Sequence, residues 1–546
     1  MKHQEQQPFG FMLMDYSIKN VACCNRIIPL LLLCLALALV FLWRLNIITG
    51  SLWIDEQHLV ASVMTTDSLF SLFDTNENAN LHHGYAAIIY FLLNFFEFSE
   101  ALVRVPSFIA SIVSFAIFYY VLGLFSKDRT HNIFLSLLFS SLLLNQHFST
   151  EARRYALSLM FVLFSFYFTA IALRFINGSA NLLKTAGASL AGSASLGFSV
   201  LSHNSAAWVY AASLFAITVI LLLLLLNDKK VSAKSAKLLY LIALQLIVVI
   251  LIAGKSMLLT IETLKTWSSQ DYLFDEISIG FLNRLGNEIF SIPNIQYVGL
   301  SLLLICGLLL LISITHLFKT NRFIANIEDS YFLFLTAFLY LVPATYLYIT
   351  KPFFLFTRFF YVFTPFIFLI PIYVYKKISP YKAIKLFYII LTPIVIYGLI
   401  VFPLYPKCPY NELFSYLDAI RKNPNITINV FVKERFKDTT KRQNIVYEKY
   451  LAEKNIRLLN ISNLRGACSK VNRNEYCVVI QEVVFADHQV EINPFAKNSG
   501  FKETLFYPFR RQRTDGLKTF YSNHWLSSND IVILYSDVGG MAKSSQ

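Results

Sequence analysis

Charge is scarce in this chain. Only 15% of its 546 residues are Asp, Glu, Lys or Arg, against about 25% in ordinary globular domains, which excludes a soluble enzyme and a disordered chain alike. Cysteine is sparse as well. The seven present include no CxxC pair, so neither a zinc ribbon nor a small disulfide scaffold fits. There is no basic stripe with interleaved aromatics and no zinc-finger spacing, which sets nucleic acid aside despite a formal net charge of +14. No internal repeat and no low-complexity tract stands out.

What is abundant is apolar. Hydrophobic residues make up 56% of the chain, with 50 Phe and 30 Tyr. Apolar runs of about 20 residues recur, each long enough to cross roughly 30 Å of hydrocarbon. The predicted fold class is therefore a polytopic α-helical membrane protein. The first run covers about residues 27–48. Lys19 and Arg26 precede it, which favours a cytoplasmic N-terminus over residues 1–26. The run is too long for a signal-peptide core and no small-residue cleavage site follows, so it reads as a retained anchor.

Residues 49–104 then form an outer loop carrying Asp55, Glu56, Asp67, Asp74 and Glu77. Within that loop, 83–98 is apolar but short for a span and reads as a helix lying at the interface. Basic and acidic clusters alternate along the rest, giving about eleven spans, the last near 383–405. The membrane part is then 27–405, and residues 406–546 fall on the same side as the acidic loop. Two outer segments, Arg153-Arg154 and Lys351 with Arg358, break the positive-inside bias and suggest an anionic ligand at the outer face.

The tail changes character after Pro403-Leu-Tyr-Pro406. Residues 410–422 and 439–454 read as helices; Ile426–Val432, Tyr476–Gln481 and Ile531–Tyr535 read as strands. That pattern predicts a small soluble α/β domain. Its excess of Lys and Arg suits either an anionic membrane surface or plain solvation. Cys408, Cys468 and Cys477 fall here, where a disulfide is open if the compartment is oxidising.

Four outer clusters could carry chemistry. Trp53-Ile-Asp-Glu56 sets two carboxylates a few residues beyond the first span, where partial desolvation raises a carboxylate pKa and favours a base. His82-His83-Gly-Tyr85 opens the interfacial helix and could help hold a metal or an acceptor. Glu151-Ala-Arg-Arg-Tyr155 puts two guanidiniums beside a carboxylate, and Arg grips phosphate through two parallel hydrogen bonds. Lys351 and Arg358 sit among aromatics, a setting for a lipid phosphate and its apolar chain. Each cluster also has a plainer reading: an acidic loop, a helix cap, an anchoring ion pair, an aromatic belt. Together they suit attack on an activated sugar carbon as a lipid phosphate leaves.

The order of these motifs resembles the GT-C glycosyltransferases, in particular the protein O-mannosyltransferase and aminoarabinose transferase group (glycosyltransferase family 39 and bacterial relatives). The matching run is Asp55-Glu56, then Leu81-His-His-Gly-Tyr-Ala-Ala, Arg104-Val-Pro-Ser107, Glu151-Ala-Arg-Arg-Tyr155, and Arg358-Phe-Phe-Tyr with Pro365. The likeness covers about residues 27–405. It implies a GT-C-like fold, a polyprenyl-phosphate sugar donor, transfer on the periplasmic or lumenal side, and inversion at the sugar carbon. It implies Asp55 as the leading catalytic carboxylate with Glu56 assisting, and Arg153 and Arg358 as candidates for the donor phosphate, to which Arg154 and Lys351 add nearby charge. His82, His83, Glu151 and Tyr155 are left as acceptor-binding or structural. His-His-Gly stands where the group often has His-Pro-Pro, a departure bearing on acceptor recognition. No cofactor is implied with certainty, and a divalent metal stays open.

The setting expected is a bacterial inner membrane, with the site and tail facing the periplasm. The acceptor is a glycolipid, an envelope polysaccharide such as lipopolysaccharide, or a protein; the sugar is unspecified. Competing readings are a lipid-linked glycan flippase or transporter, an oligosaccharide ligase or polymerase, and a membrane scaffold. A transporter would favour ionisable residues at mid-membrane on broken helices, whereas these cluster near the predicted outer boundary.

Overall fold

The computed structural model describes residues 52–378 with gaps at 53, 74–82, 179–181, 229–231, 268–278, 291–296, 321–322, 324–325 and 350–356. It also describes scattered positions between 38 and 48, residues 392–393, and five tail stretches: 427–432, 439–460, 475–483, 502–506 and 531–536. Most of the first predicted span, nearly all of the last, the predicted helix 410–422, Cys408 and Cys468 lie outside the described residues.

Two short helices come first, α1 (Ile54–Met64) and α2 (His83–Phe95). A bundle follows: α3 (Glu100–Phe125), α4 (Arg129–Ser140), α5 (Leu143–Ser149), α6 (Tyr155–Asn177), α7 (Leu182–Ser202), α8 (Ala206–Asp228), α9 (Ala233–Trp267), α10 (Ile279–Ile289), α11 (Val298–Lys319), α12 (Ile327–Ile349) and α13 (Thr364–Tyr373). Among the described residues, α3, α6, α8, α9 and α11 are long and apolar enough to cross a membrane. The chain is a helical polytopic membrane protein. Helix α2 has 13 residues and, at about 1.5 Å per residue, is too short to span.

Local chemistry explains the boundaries. Ser99 caps α3 by accepting the Leu102 N–H at 3.1 Å, and Glu100 follows in the first turn, where a carboxylate meets the positive helix end. Asp128 caps α4 in the same way, accepting from His131 N at 3.0 Å. One predicted span is divided: the run after Arg129 breaks between α4 and α5. Gln146 Nε2 donates to the Ser141 carbonyl at 2.6 Å, and Asn145 Nδ2 donates to the Phe139 carbonyl. The Gln146 amide satisfies a carbonyl at the break, and the Asn145 amide adds to the backbone N–H groups that already meet the Phe139 carbonyl.

Packing follows residue size. On α11, Leu304, Leu308 and Leu311 are exposed at helical spacing, as are Ile247, Ile250 and Leu251 on α9; these stripes suit lipid. Helix α7 is rich in Gly, Ala and Ser and packs tightly on α6 and α9, as small residues allow in membranes. A close crossing joins α10 and α11, where a Cβ on Gly299 would fall onto the Asn283 backbone carbonyl and Asn287. Asn283 Oδ1 also accepts the Leu300 N–H at 3.1 Å, so neither backbone can easily retreat. Gly299→Ala is expected to cost about 1–3 kcal/mol as overpacking, read as a lower melting temperature in detergent.

In the tail, β1 (Thr427–Val432), α14 (Thr439–Glu453), β2 (Ile456–Asn460), β3 (Glu475–Val483), β4 (Lys502–Phe506) and β5 (Ile531–Ser536) build one sheet of order β2-β1-β3-β5-β4. β1 lies parallel to β2 and β3, while β5 is antiparallel to β3 and β4. The parallel β1–β2 pair needs a crossover, and α14 supplies it. Strands β2 and β4 were not anticipated from the sequence. Helix α14 packs on β2 and also on α1. A second apolar core forms around that contact, joining Leu59, Val60, Tyr85, Ile89 and Ala156 to Val446, Tyr447 and Leu451.

Candidate active site

Glu56, in the first turn of α1, is fully buried and gripped by Arg104 of α3. Arg104 Nε donates to Glu56 Oε1 at 2.9 Å and Nη2 to Oε2 at 2.6 Å. This parallel fork is the strongest geometry the two groups can form. Arg104 Nη1 donates to the Ile48 carbonyl at 3.0 Å, and Glu56 Oε1 also accepts the Ala152 N–H at 2.5 Å. One ion pair thus ties together the end of the first apolar run, α1, α3 and the Glu151–Tyr155 segment.

A second set of bonds runs alongside. The Tyr85 hydroxyl donates to the Val103 carbonyl at 2.8 Å. Ser107 Oγ donates to the Arg153 carbonyl at 2.7 Å and lies 3.0 Å from the Tyr85 oxygen. Burial pushes the Tyr85 phenol well above its ordinary range, so it stays a neutral donor. Pro106 sits between these contacts inside α3. Having no N–H, it cannot continue the ladder at that point.

The Glu151–Tyr155 segment enters a buried aromatic cluster. His147 Nε2 lies 3.0 Å from Glu151 Oε1. The Tyr155 ring centre is 4.2 Å from that of Phe148 and 4.7 Å from that of His203. The Tyr361 hydroxyl donates to Asn145 Oδ1 at 2.7 Å. The guanidiniums of Arg153 and Arg154 lie 5.2 and 5.6 Å from the Tyr155 ring centre, close enough for cation–π attraction. Arg153 is buried and Arg154 is half-buried.

His83 opens α2, is buried, and has Nδ1 3.2 Å from Ser256 Oγ of α9. Burial, with the Lys255 ammonium nearby, pushes its pKa from 6.5 down to about 4. The folded state thus holds the ring neutral while the unfolded chain protonates it first. The stability this supplies is complete above pH 6.5 and is lost as pH falls towards 4. His83→Gln should flatten that part of the decline, seen by comparing melting temperatures of variant and wild type between pH 7 and 4.

Glu56, His83, Glu151, Arg153 and Tyr155 therefore share one end of the bundle, with Arg154 beside them. The backbone of Asp55 lies in the first turn of α1 and that of Arg358 in a 3-10 helix, Thr357–Phe363; their side chains are not described. His82 and Lys351 lie outside the described residues. Arg104 belonged to a quoted motif, yet its role as the Glu56 partner was missed, because spacing carries no sign of a pairing across 48 residues. Among the described residues, no group of three His, Cys, Asp or Glu has metal-binding geometry. Where α1 ends, it and α2 border a groove of about 520 Å³ lined by Val63, Met64, Tyr90, Leu93, Phe95 and Glu97 among others.

The sequence matches no protein-family model and no curated protein. Among solved structures, ArnT from Cupriavidus metallidurans, crystallised in the apo state, matches with a TM-score of 0.52 at 8% identity. The match covers 96% of this chain and 100% of that one. This chain has an ArnT-like fold. At such low identity the likeness is one of architecture alone.

Proposed function

We propose that the chain is a membrane glycosyltransferase that moves a sugar from a polyprenyl-phosphate donor to an envelope glycolipid, polysaccharide or protein on the periplasmic side of a bacterial inner membrane. The observation that carries this reading is convergence. Motifs far apart in sequence, around Glu56, Tyr85, Arg104, Ser107 and Arg153, join in one buried network. The ArnT-like fold, that of a GT-C membrane glycosyltransferase, supports it independently.

In this reading Asp55 is the base. It takes the proton from the acceptor group as that atom attacks the anomeric carbon of the sugar. The bond from that carbon to the donor phosphate oxygen breaks, and the phosphate leaves with the electron pair. A single displacement from the opposite face inverts the carbon. Arg153, Arg154, Lys351 and Arg358 supply the positive charge that stabilises the departing phosphate. Glu56 assists by position, because Arg104 and the Ala152 amide occupy its carboxylate. His83, Glu151 and Tyr155 shape the acceptor side, a role His82 shares.

The direct test uses the purified chain in nanodiscs with single polyprenyl-phosphate sugars and membrane glycolipid extract. Release of free polyprenyl phosphate, matched by sugar gain on an acceptor, is the expected result. Movement of intact donor across a vesicle without cleavage would favour the flippase reading. Transfer of a preassembled glycan in preference to one sugar would favour a ligase.

A further inference from the structure

The tail carries no catalytic motif of its own, yet one of its helices packs on α1. Val446, Tyr447 and Leu451 of α14 are buried against α1, in the same apolar core as Leu59 and Val60. The Tyr447 hydroxyl accepts the Leu52 N–H at 3.0 Å. That amide lies two residues ahead of the start of α1. The Leu52 carbonyl accepts Gln57 Nε2 at 2.6 Å. Both polar groups of the residue leading into α1 are therefore held, the carbonyl by α1 and the amide by the tail.

We propose that Tyr447 is a positioning residue: through it, α14 fixes where the first turn of α1, with Asp55 and Glu56, sits against Arg104. The tail is then a wall of the site and not a detached appendage. A buried backbone amide needs a partner, and here that partner comes from 395 residues away. Any displacement of α14 is transmitted first to the turn that bears the two carboxylates. The activity half of this inference rests on the transferase reading; the mechanical half does not.

The test is hydrogen–deuterium exchange of the full chain in nanodiscs, read on peptides covering residues 52–64, together with donor turnover. Tyr447→Phe keeps the ring and removes only the hydroxyl. It should speed exchange in 52–64 by about five- to tenfold, the effect of one lost hydrogen bond, and leave α6 peptides unchanged. It should lower kcat with donor KM unaltered. Glu448→Gln, on the exposed face of α14, should match wild type in both readouts. Unchanged exchange in 52–64 would overturn the proposal. So would faster exchange with wild-type kcat, which would make the contact structural alone. If Tyr447→Phe does not fold, Leu451→Ala loosens the same contact and must speed the same peptides. Absence of transfer by the wild-type chain would sink the transferase reading, while the exchange comparison would still decide whether α14 holds α1.

Discussion

Arg104→Met is expected to cost about 3–5 kcal/mol of stability, because it leaves the Glu56 carboxylate charged and unpaired in a water-free interior. Both partners are at most 1% exposed, so water cannot take over. Glu56→Leu should cost a similar amount by stranding the guanidinium. Arg104→Lys should recover only part of the loss, since an ammonium cannot reproduce two parallel bonds to the carboxylate and a third to the Ile48 carbonyl. The double variant Glu56→Leu with Arg104→Met should be more stable than either single one, because apolar replacement of a whole buried pair is often neutral. It will still leave the Ala152 N–H without its acceptor. Melting curves of wild type and the four variants in one detergent would check this. Additive losses in the double variant would mean that the two residues do not act as a pair.

The second large effect concerns chemistry without stability. Asp55→Asn should lower transfer by about 10²–10⁴-fold, the range that a positioned general base contributes. Membrane insertion and melting temperature should stay at wild-type values. The contrast between neighbours is the useful part. Glu56→Gln should lower both stability and turnover, because its ion pair with Arg104 ties four segments together. Asp55→Asn should lower turnover alone. If Asp55→Asn lost stability as Glu56→Gln does, Asp55 would belong to the scaffold, and the base would have to be sought elsewhere.

The sequence was informative where the physical signal is local. The apolar stretch 83–98 was too short to span, and the structure has a 13-residue helix there. The strands at Thr427–Val432, Glu475–Val483 and Ile531–Ser536 and the helix Thr439–Glu453 fall where alternation and helical periodicity put them. Strands Ile456–Asn460 and Lys502–Phe506, Ile-Arg-Leu-Leu-Asn and Lys-Glu-Thr-Leu-Phe, lack a clean apolar–polar alternation. The break between α4 and α5 had a signal that went unused. Asn145, Gln146 and His147 stand together inside an otherwise apolar run, and polar triplets of that kind mark places where the backbone needs side-chain partners. For the site, the Asp-Glu, His-His-Gly-Tyr and Glu-Ala-Arg-Arg-Tyr segments could be singled out by residue type. Their joining could not. The Glu56–Arg104 pair, the Ser107–Arg153 bond and the Tyr447–Leu52 bond each depend on tertiary packing, to which spacing along the chain is blind.

The central claim is that one sugar leaves a lipid phosphate with Asp55 as base. Mass spectrometry of extracted glycolipids, envelope polysaccharide and glycoproteins tests it most directly, in a strain lacking this gene and in the same strain carrying either wild type or Asp55→Asn. The account predicts that one defined sugar mass disappears from a single acceptor class, returns with wild type, and stays absent with Asp55→Asn. Return of the sugar with both proteins would contradict it.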